Sequence, residues 1–336
     1  MELLMSKPAL GVVAVGNALV DVLAKTTDAF IAEQKAKHGM EKGAMTLIDA
    51  PRAEDLYKTM PPGIESSGGS AANTMAGFAS FGGKGGFIGK IADDALGKVF
   101  AHDIRALGVR FETQPLVMGA PTGRCLILIT PDGQRTMNTF LGASVELHAG
   151  DVDPDMIASA QITYLEGYLF DREQAKHAFI KAAECAHEAG HRVALTLSDP
   201  FCVDRHRSDF LRLVESHVDI LFANEEEIKS LYMQQNFDDA ASAVSKHCEI
   251  AVLTRSEKGA VIRNGAKTIA VPAAPAKVVD TTGAGDQYAA GFLYGFTEGM
   301  ALEKCGQLGA LAAAEVIGHV GPRPAMSYAE MLKKAA

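Results

Sequence analysis

Near the C-terminal end the chain reads Asp280-Thr281-Thr282-Gly283-Ala284-Gly285-Asp286, a run of small residues closed by a carboxylate. Gly283, Ala284 and Gly285 let the backbone turn sharply and leave its N–H groups uncovered. The stretch from Gln287 to about Phe296 is apolar on most sides and predicts a buried helix. Uncovered N–H groups at a helix N-terminus bind phosphate or another oxyanion. Asp286 then stands where a carboxylate can take a proton from a hydroxyl held beside that anion. An anion hole next to a base is what phosphoryl transfer to an alcohol requires. A Gly-rich turn with Asp286 as a helix-start residue would use the same letters, so the rest of the chain has to decide.

A second small-residue block, Ser66-Ser67-Gly68-Gly69-Ser70-Ala71-Ala72-Asn73, allows the backbone close to a ligand and places Asn73 one turn inside the next helix. Gly16-Asn17-Ala18-Leu19-Val20-Asp21 ends the first strand-like run. If that segment is extended, Asn17 and Asp21 face the same side, and an amide with a carboxylate holds two neighbouring hydroxyls of a sugar. Asn224-Glu225-Glu226-Glu227 follows another strand, at the end where open α/β sheets bind ligands. Asn224 and Glu227 could hold hydrated Mg²⁺ there, directly or through water, or simply form a helix cap. Two further patterns carry less. Gly82–Gly89 fits neither dinucleotide nor P-loop spacing and predicts a turn into a strand. His187-Glu188-Ala189-Gly190-His191 matches the zinc-protease pattern, but Gly190 predicts a helix end that separates the two histidines.

The elements that must position these groups alternate. Strand-like runs at Leu10–Gly16, Gly86–Ile91, Ile162–Glu166, Arg192–Leu197, Asp219–Phe222 and Ile250–Thr254 are separated by helical segments. The helical segments include Ala71–Phe81, Leu96–Leu107, Arg172–Ala189 and Glu225–Tyr232. This is the rhythm of a mostly parallel sheet covered on both faces. Asn17–Asp49 and Phe111–Leu141 break it, the latter with two alternating runs around the turn Pro131-Asp132-Gly133. The expectation is an α/β/α core from 1–16, 50–110 and 142–336, with a small antiparallel β lid from 17–49 and 111–141.

Bulk properties agree with an enzyme of small molecules. The chain has 336 residues, 48% of them hydrophobic, enough for a large core. Its net charge is −9 without a basic block, which argues against a nucleic-acid partner. No apolar run reaches the roughly 18 residues of a membrane span. Met1–Pro8, with Glu2 and Lys7, lacks the pattern of a secretory leader. Five scattered cysteines without a C-x-x-C pair point to free thiols and a cytoplasmic setting.

In their order along the chain, these elements resemble the ribokinase (PfkB) family of carbohydrate and nucleoside kinases over essentially the whole length. The family's two signatures correspond to the block from Gly68 to Asn73 running to Gly97, and to Asp280–Asp286 with its helix. Gly16–Asp21, Leu197-Ser198-Asp199-Pro200-Phe201 and Asn224–Glu227 are most similar to the adenosine-kinase branch. The resemblance implies a ribokinase-like α/β/α core and transfer of the γ-phosphoryl group of ATP, with Mg²⁺, to the 5′-hydroxyl of adenosine. Asp286 would be the base, and the N–H groups of Gly283, Ala284 and Gly285 the anion hole. Asn17, Asp21, Gly68, Gly69 and Asn73 would hold the ribose, and Met45, Leu47, Leu141, Tyr168 and Phe201 the purine. Asn224 and Glu227 would position Mg²⁺ and the nucleotide, with further nucleotide contacts from Thr254, Gly259 and Thr282. Carbonyl oxygens of Asp280, Thr282 and Val316–Ala325 would serve a K⁺ ion.

Gln287 departs from the small residue that the family usually has after the base, so packing or nucleotide contacts should differ there. The same resemblance leaves a sugar kinase (ribose, fructose or a sugar acid) or an inosine/guanosine kinase as alternatives, and a monomer or a dimer through the lid. Outside the kinases stand a nucleoside sensor without turnover and an NAD-dependent oxidoreductase. The missing dinucleotide fingerprint after the first strand opposes the latter.

Overall fold

Alternation along the first strand sets the architecture. In the computed structural model, which describes residues 8–335, β1 (Leu10–Val15) sends Val12 and Ala14 into one apolar cluster and Val13 and Val15 into another. A strand buried on both faces needs a layer on each side. The other strands are β2 (Leu19–Lys25), β3 (Met45–Leu47), β4 (Ile64–Gly68), β5 (Gly85–Ile88), β6 (Arg110–Phe111), β7 (Thr122–Ile129) and β8 (Arg135–Gly142). They continue as β9 (Ala160–Glu166), β10 (Arg192–Thr196), β11 (Ile220–Asn224), β12 (Ile250–Thr254), β13 (Ala260–Asn264) and β14 (Lys267–Val271). The helices are α1 (Asp28–His38), α2 (Ala50–Thr59), α3 (Ser70–Ser80), α4 (Ala95–Ala106), α5 (Pro154–Ala158) and α6 (Glu173–Glu188). After them come α7 (Pro200–His217), α8 (Glu225–Tyr232), α9 (Phe237–Val244), α10 (Ala284–Thr297), α11 (Leu302–Val316) and α12 (Tyr328–Ala335).

The larger sheet has the order β14-β13-β12-β11-β10-β9-β1-β5-β6 and is parallel from β12 to β6. Only β13 and β14, at one edge, run antiparallel to their neighbours. From β1 the chain builds outward to β5 and β6, then returns to add β9 and its successors on the other side. The strand order therefore switches between β1 and β9, and a crevice opens there beyond the C-terminal strand ends. This is the ribokinase-like α/β core expected from the sequence. Among the described residues no helix is long and apolar enough to cross a membrane.

The smaller sheet has the order β3-β8-β7-β2-β4. Here the structure corrects three expectations. Its pairing is mixed, because β2–β7 and β3–β8 are parallel, while only β7–β8 and β2–β4 are antiparallel. Strand β4 lies within 50–110, a range assigned to the core, yet it extends the smaller sheet. Helix α1 occupies the middle of 17–49, where alternation had suggested strands; Thr27 caps its start. Local patterning shows that a segment is extended but not which sheet receives it. The leader reading of Met1–Lys7 and the core ranges at 1–7 and 336 lie outside the described residues.

Register gives the smaller sheet two unlike faces. Leu47, Thr139, Cys125 and Asp21 stand opposite one another across β3, β8, β7 and β2. Met45, Met137, Ile127 and Leu23 form the next row on that side. Leu141 and Arg135 share the face by alternation along β8. On the opposite face Val20, Val22, Ala24, Leu126 and Leu128 pack with Ile31 of α1 and Leu56 of α2.

Helices α10 and α11 approach so closely that backbone meets backbone. A Cβ on Gly291 would lie 2.5 Å from the Leu308 carbonyl oxygen and 2.7 Å from the Gly309 nitrogen. Gly291→Ala would gain about 1 kcal/mol of helix propensity but push apart main chains that cannot rotate away. A net destabilisation of about 2 kcal/mol is expected from overpacking, measured by denaturant unfolding. A variant as stable as the wild type would show that the two helices separate freely.

Candidate active site

Two helices with glycine N-caps start at the crevice. Gly283 precedes α10 with φ 78°, and no side chain caps that helix. A Cβ at Gly283 would also stand 2.6 Å from Pro322, so left-handed backbone and close approach both call for glycine. Around Gly285 an added Cβ would meet nothing within 4 Å, leaving the first turn of α10 open. Gly69, with φ 97°, precedes α3, whose Ala71 N–H is taken by Glu166 Oε2 at 2.8 Å. Gln287 is fully buried and ties the two starts together. Its Nε2 donates to the backbone oxygens of Asn73 and Pro322, both at 2.9 Å. The departure from a small residue after Asp286 is therefore a matter of packing.

Asp286 sits in the first turn of α10. Ser70 Oγ donates to its Oδ1 at 2.6 Å and Asn73 Nδ2 to its Oδ2 at 3.4 Å. Burial pushes its carboxyl up to about 6 against these two bonds, and the charge of Asp21 pushes the same way. Asp21 comes from β2, packed so tightly on the Gly68 backbone that a Cβ there would lie 2.4 Å from its Cγ. Burial lifts Asp21 to about 6 as well, restrained by the charges of Arg323 and Arg135. Both carboxylates thus titrate within reach of neutral pH, where a proton-accepting group works best.

Sequence reasoning missed several groups that the fold brings here. Arg135 of β8 pairs with the buried Asp280, which also accepts the N–H groups of Thr282 and Gly321 at 3.0 Å each. The Nε and Nη2 atoms of Arg135 are buried without partners. Arg323, beyond α11, donates to Asn73 and Asp103. Glu166, at the end of β9, accepts from Asn17 Nδ2 at 2.8 Å, and burial lifts it to about 7. The signal for Glu166 was a charged residue closing an apolar strand; the arginines gave none.

The residues expected at the site fall out as follows. Asn17 lies in the connection leading from one sheet to the other, not on a strand, so its spacing to Asp21 does not set a common face. Its amide is 2% exposed, bonded to Glu166 and accepting from Ser144 Oγ at 2.9 Å. Asp21, Met45, Leu47 and Leu141 share the face described above. Met45 and Leu47 are about half exposed there, at 45% and 51%. Tyr168 follows β9, held by a bond from its N–H to Ser198 Oγ at 3.2 Å. Phe201, in the first turn of α7, is 75% exposed. Asn224 and Glu227 form a reciprocal cap: Asn224 Oδ1 accepts from the Glu227 N–H at 2.8 Å, and Glu227 Oε2 from the Asn224 N–H at 2.9 Å. Thr254 pairs with Asn224 at the same sheet end. Gly259 has φ 80°, and a Cβ there would strike the Val271 carbonyl, which is a structural need. The two histidines of 187–191 are separated by Gly190 at φ 74°.

Ion sites follow from these donor sets. Glu227 is buried and lifted to about 7, with Asp199 and Asp286 adding to the effect of burial. Burial and the two neighbouring acids are what raise it, so the spot suits a hydrated divalent ion. Both oxygens of Glu227 already accept from Asn224, an arrangement that fits contact with the ion through water. The Asp280 carboxylate is committed to Arg135 and two N–H groups, so only its backbone carbonyl is left to serve a K⁺ ion.

An open anion-binding helix start with a half-buried carboxylate on its first turn defines an enzyme that transfers a phosphoryl group to an alcohol, built on a ribokinase-like core. The family model of pfkB family carbohydrate kinases matches residues 63–328, and the chain belongs to that family. It is similar to adenosine kinase of Saccharomyces cerevisiae, 28% identical over 92% of this chain and 95% of the relative. The crystal structure of adenosine kinase from Sinorhizobium meliloti superposes with a TM-score of 0.89 at 51% identity, covering 97% of this chain and 99% of the other. A probable sugar kinase from Rhizobium etli superposes with a TM-score of 0.90 at 49% identity, covering 98% and 99%. Membership in this kinase family implies ATP and, as a rule, Mg²⁺.

The raised carboxyls predict a pH profile. A base must be ionised to act, and Asp286 and Asp21 both become ionised near pH 6. Log kcat/KM should fall by at least about one per pH unit below that point and flatten above it. Steady-state rates between pH 5 and 8 measure this. A profile flat down to pH 5 would remove Asp286 from the role of base.

Proposed function

We propose that the enzyme phosphorylates the 5′-hydroxyl of a ribonucleoside, with adenosine as the preferred acceptor. The observation that carries this reading is a single face of the smaller sheet with Asp21 of β2 at one side and, across Cys125 and Thr139 in the same row, Leu47 of β3 at the other, Met45 and Leu141 sharing that face. A carboxylate at one side of the face and the exposed apolar side chains of Met45 and Leu47 at the other match a ribose joined to a flat, weakly polar base, whereas a free sugar calls for more donors and acceptors throughout. The likeness to the Sinorhizobium meliloti adenosine kinase supports the same assignment.

In this proposal Asp21 and Asn73 hold the ribose hydroxyls against the backbone of Gly68 and Gly69. Tyr168 and Phe201 flank the base together with the apolar face of the smaller sheet. Asn17, whose amide is bonded to Glu166 and Ser144, serves by fixing the loop between the two sheets. Asp286 takes the proton of the acceptor hydroxyl as that oxygen bonds to the γ-phosphorus of ATP and the bond from that phosphorus to the β–γ bridging oxygen breaks, ADP leaving. The open N–H groups at the start of α10 hold the oxygens of the transferred group, and Arg135 adds positive charge once it leaves Asp280. Asn224 and Glu227 would hold Mg²⁺ through water, the ion supplying neutralisation of phosphate charge, and Thr254 with Thr282 would border the nucleotide.

Two measurements test the proposal. ADP release from Mg·ATP is followed with adenosine, inosine, guanosine, ribose and fructose, with and without K⁺. Adenosine should give the highest kcat/KM. A sugar giving the highest value would overturn the purine assignment of Met45, Leu47, Leu141, Tyr168 and Phe201 while leaving the phosphotransfer intact. Asp286→Asn should fold normally, keep its affinity for ATP and lose on the order of 10²–10⁴ in kcat. Near-full activity in that variant would end the assignment of the base.

A further inference from the structure

Arg323 lies in the segment after α11, far in sequence from everything it touches. Its Nε donates to Asn73 Oδ1 at 3.2 Å and its Nη1 to Asp103 Oδ2 at 3.1 Å. Asp103 in turn accepts the N–H and the hydroxyl of Ser67, each at 2.7 Å, at the end of β4. The Arg323 side chain is only 17% exposed, and its Nη2 is buried without a partner. A guanidinium has donors and no acceptor.

That asymmetry decides how Asn73 sits. A side-chain amide has two orientations related by a half-turn, one presenting oxygen where the other presents nitrogen. With Oδ1 toward Arg323, Nδ2 faces Asp286 Oδ2, and both contacts are attractive. Turned over, the amide would set its N–H groups against the guanidinium and its oxygen against a carboxylate. The backbone of the same residue is held by Gln287. Asn73 is thus fixed at both ends by residues that come from α10 and the C-terminal segment.

We propose that Arg323 is a positioning residue for phosphoryl transfer, locking the Asn73 amide so that it donates to Asp286 and keeps that carboxylate ready to accept the hydroxyl proton. The inference rests on Asp286 being the base. The groups facing Asp286 are Ser70 and Asn73 of α3, Asp21 of β2, Tyr164 and Glu166 of β9, Tyr168 and, on α8, Glu227. Of these, only the Ser70 hydroxyl and the Asn73 amide stabilise its charged form, while the acids oppose it. Releasing Asn73 therefore makes Asp286 harder to ionise, and the acid limb of the rate profile moves to higher pH.

The test is the kcat–pH profile of wild type, R323Q, R323K and D286N on Mg·ATP and adenosine. R323Q should lose about twofold in kcat at pH 7 and about tenfold at pH 5, with its acid limb about one pH unit higher and KM for ATP little changed. A lysine cannot reach Asn73 and Asp103 in the fork geometry of arginine, so R323K should show a smaller shift in the same direction. A folded R323Q with an unmoved acid limb overturns the inference, as does a loss confined to the acceptor KM. Should R323Q fail to fold, an unmoved limb in R323K overturns it equally. If D286N is inactive while the limb of R323Q stays in place, only the Arg323 assignment fails. If D286N keeps near-full activity, the base assignment fails and this inference falls with it.

Discussion

Holding a carboxylate half-buried between the starts of two helices is costly, and most of the site follows from how that cost is met. Asp286 has no cation bonded to it; it has a serine hydroxyl, an asparagine amide and the positive end of α10. Such partners stabilise the charged form without neutralising it. The carboxyl remains near 6, charged at neutral pH yet basic enough to accept a proton. A bonded arginine would have pulled it well below the range useful to a base. The arginines stand one residue further out, on Asn73 and on Asp280, where they orient or wait instead of neutralising.

The same separation governs how the two sheets communicate. Arg135 crosses from the smaller sheet to Asp280, at the head of the anion-binding loop. Asp280 would be a poor neighbour for an incoming phosphate, and its charge is covered by Arg135 and two N–H groups. Those N–H groups keep Asp280 bonded even when the guanidinium turns toward another anion. With two of its own nitrogens buried and unpartnered, Arg135 has unused capacity at the mouth of the loop. In the proposed reaction that capacity would meet the charge of the transferred group, so one side chain of the smaller sheet would serve the loop of the larger.

What was legible in the sequence divides along physical lines. Strands such as Ile250–Thr254 and helices such as Glu225–Tyr232 were read to the residue, because short apolar runs and a capping pair are local signals. The small-residue blocks at Gly68–Gly69 and Gly283–Gly285 were legible because backbone approach restricts which residues fit. Strand β4 and helix α1 were misplaced, since membership in a sheet depends on partners far along the chain. For the same reason Arg323 gave no signal as a site residue, and the charge closing an apolar strand at Glu166 gave no hint of its partner. Their partners Asn73 and Asn17 lie 250 and 149 positions away.

Reaction type and acceptor are written differently into the molecule. The reaction depends on two helix starts, each encoded in fewer than ten consecutive residues, and the spacing within each block fixes the geometry of N–H groups and carboxylate. The proposed acceptor depends on a face assembled from β2, β3, β7 and β8, where a shift of one residue in any register would exchange every side chain for its neighbour. That face also owes its shape to α1 and α2 behind it, whose packing holds the strands in register. A phosphoryl-transfer site can consequently be recognised from two short motifs, while the surface proposed to choose between a nucleoside and a sugar becomes readable only once Leu47, Thr139, Cys125 and Asp21 are seen to stand in one row.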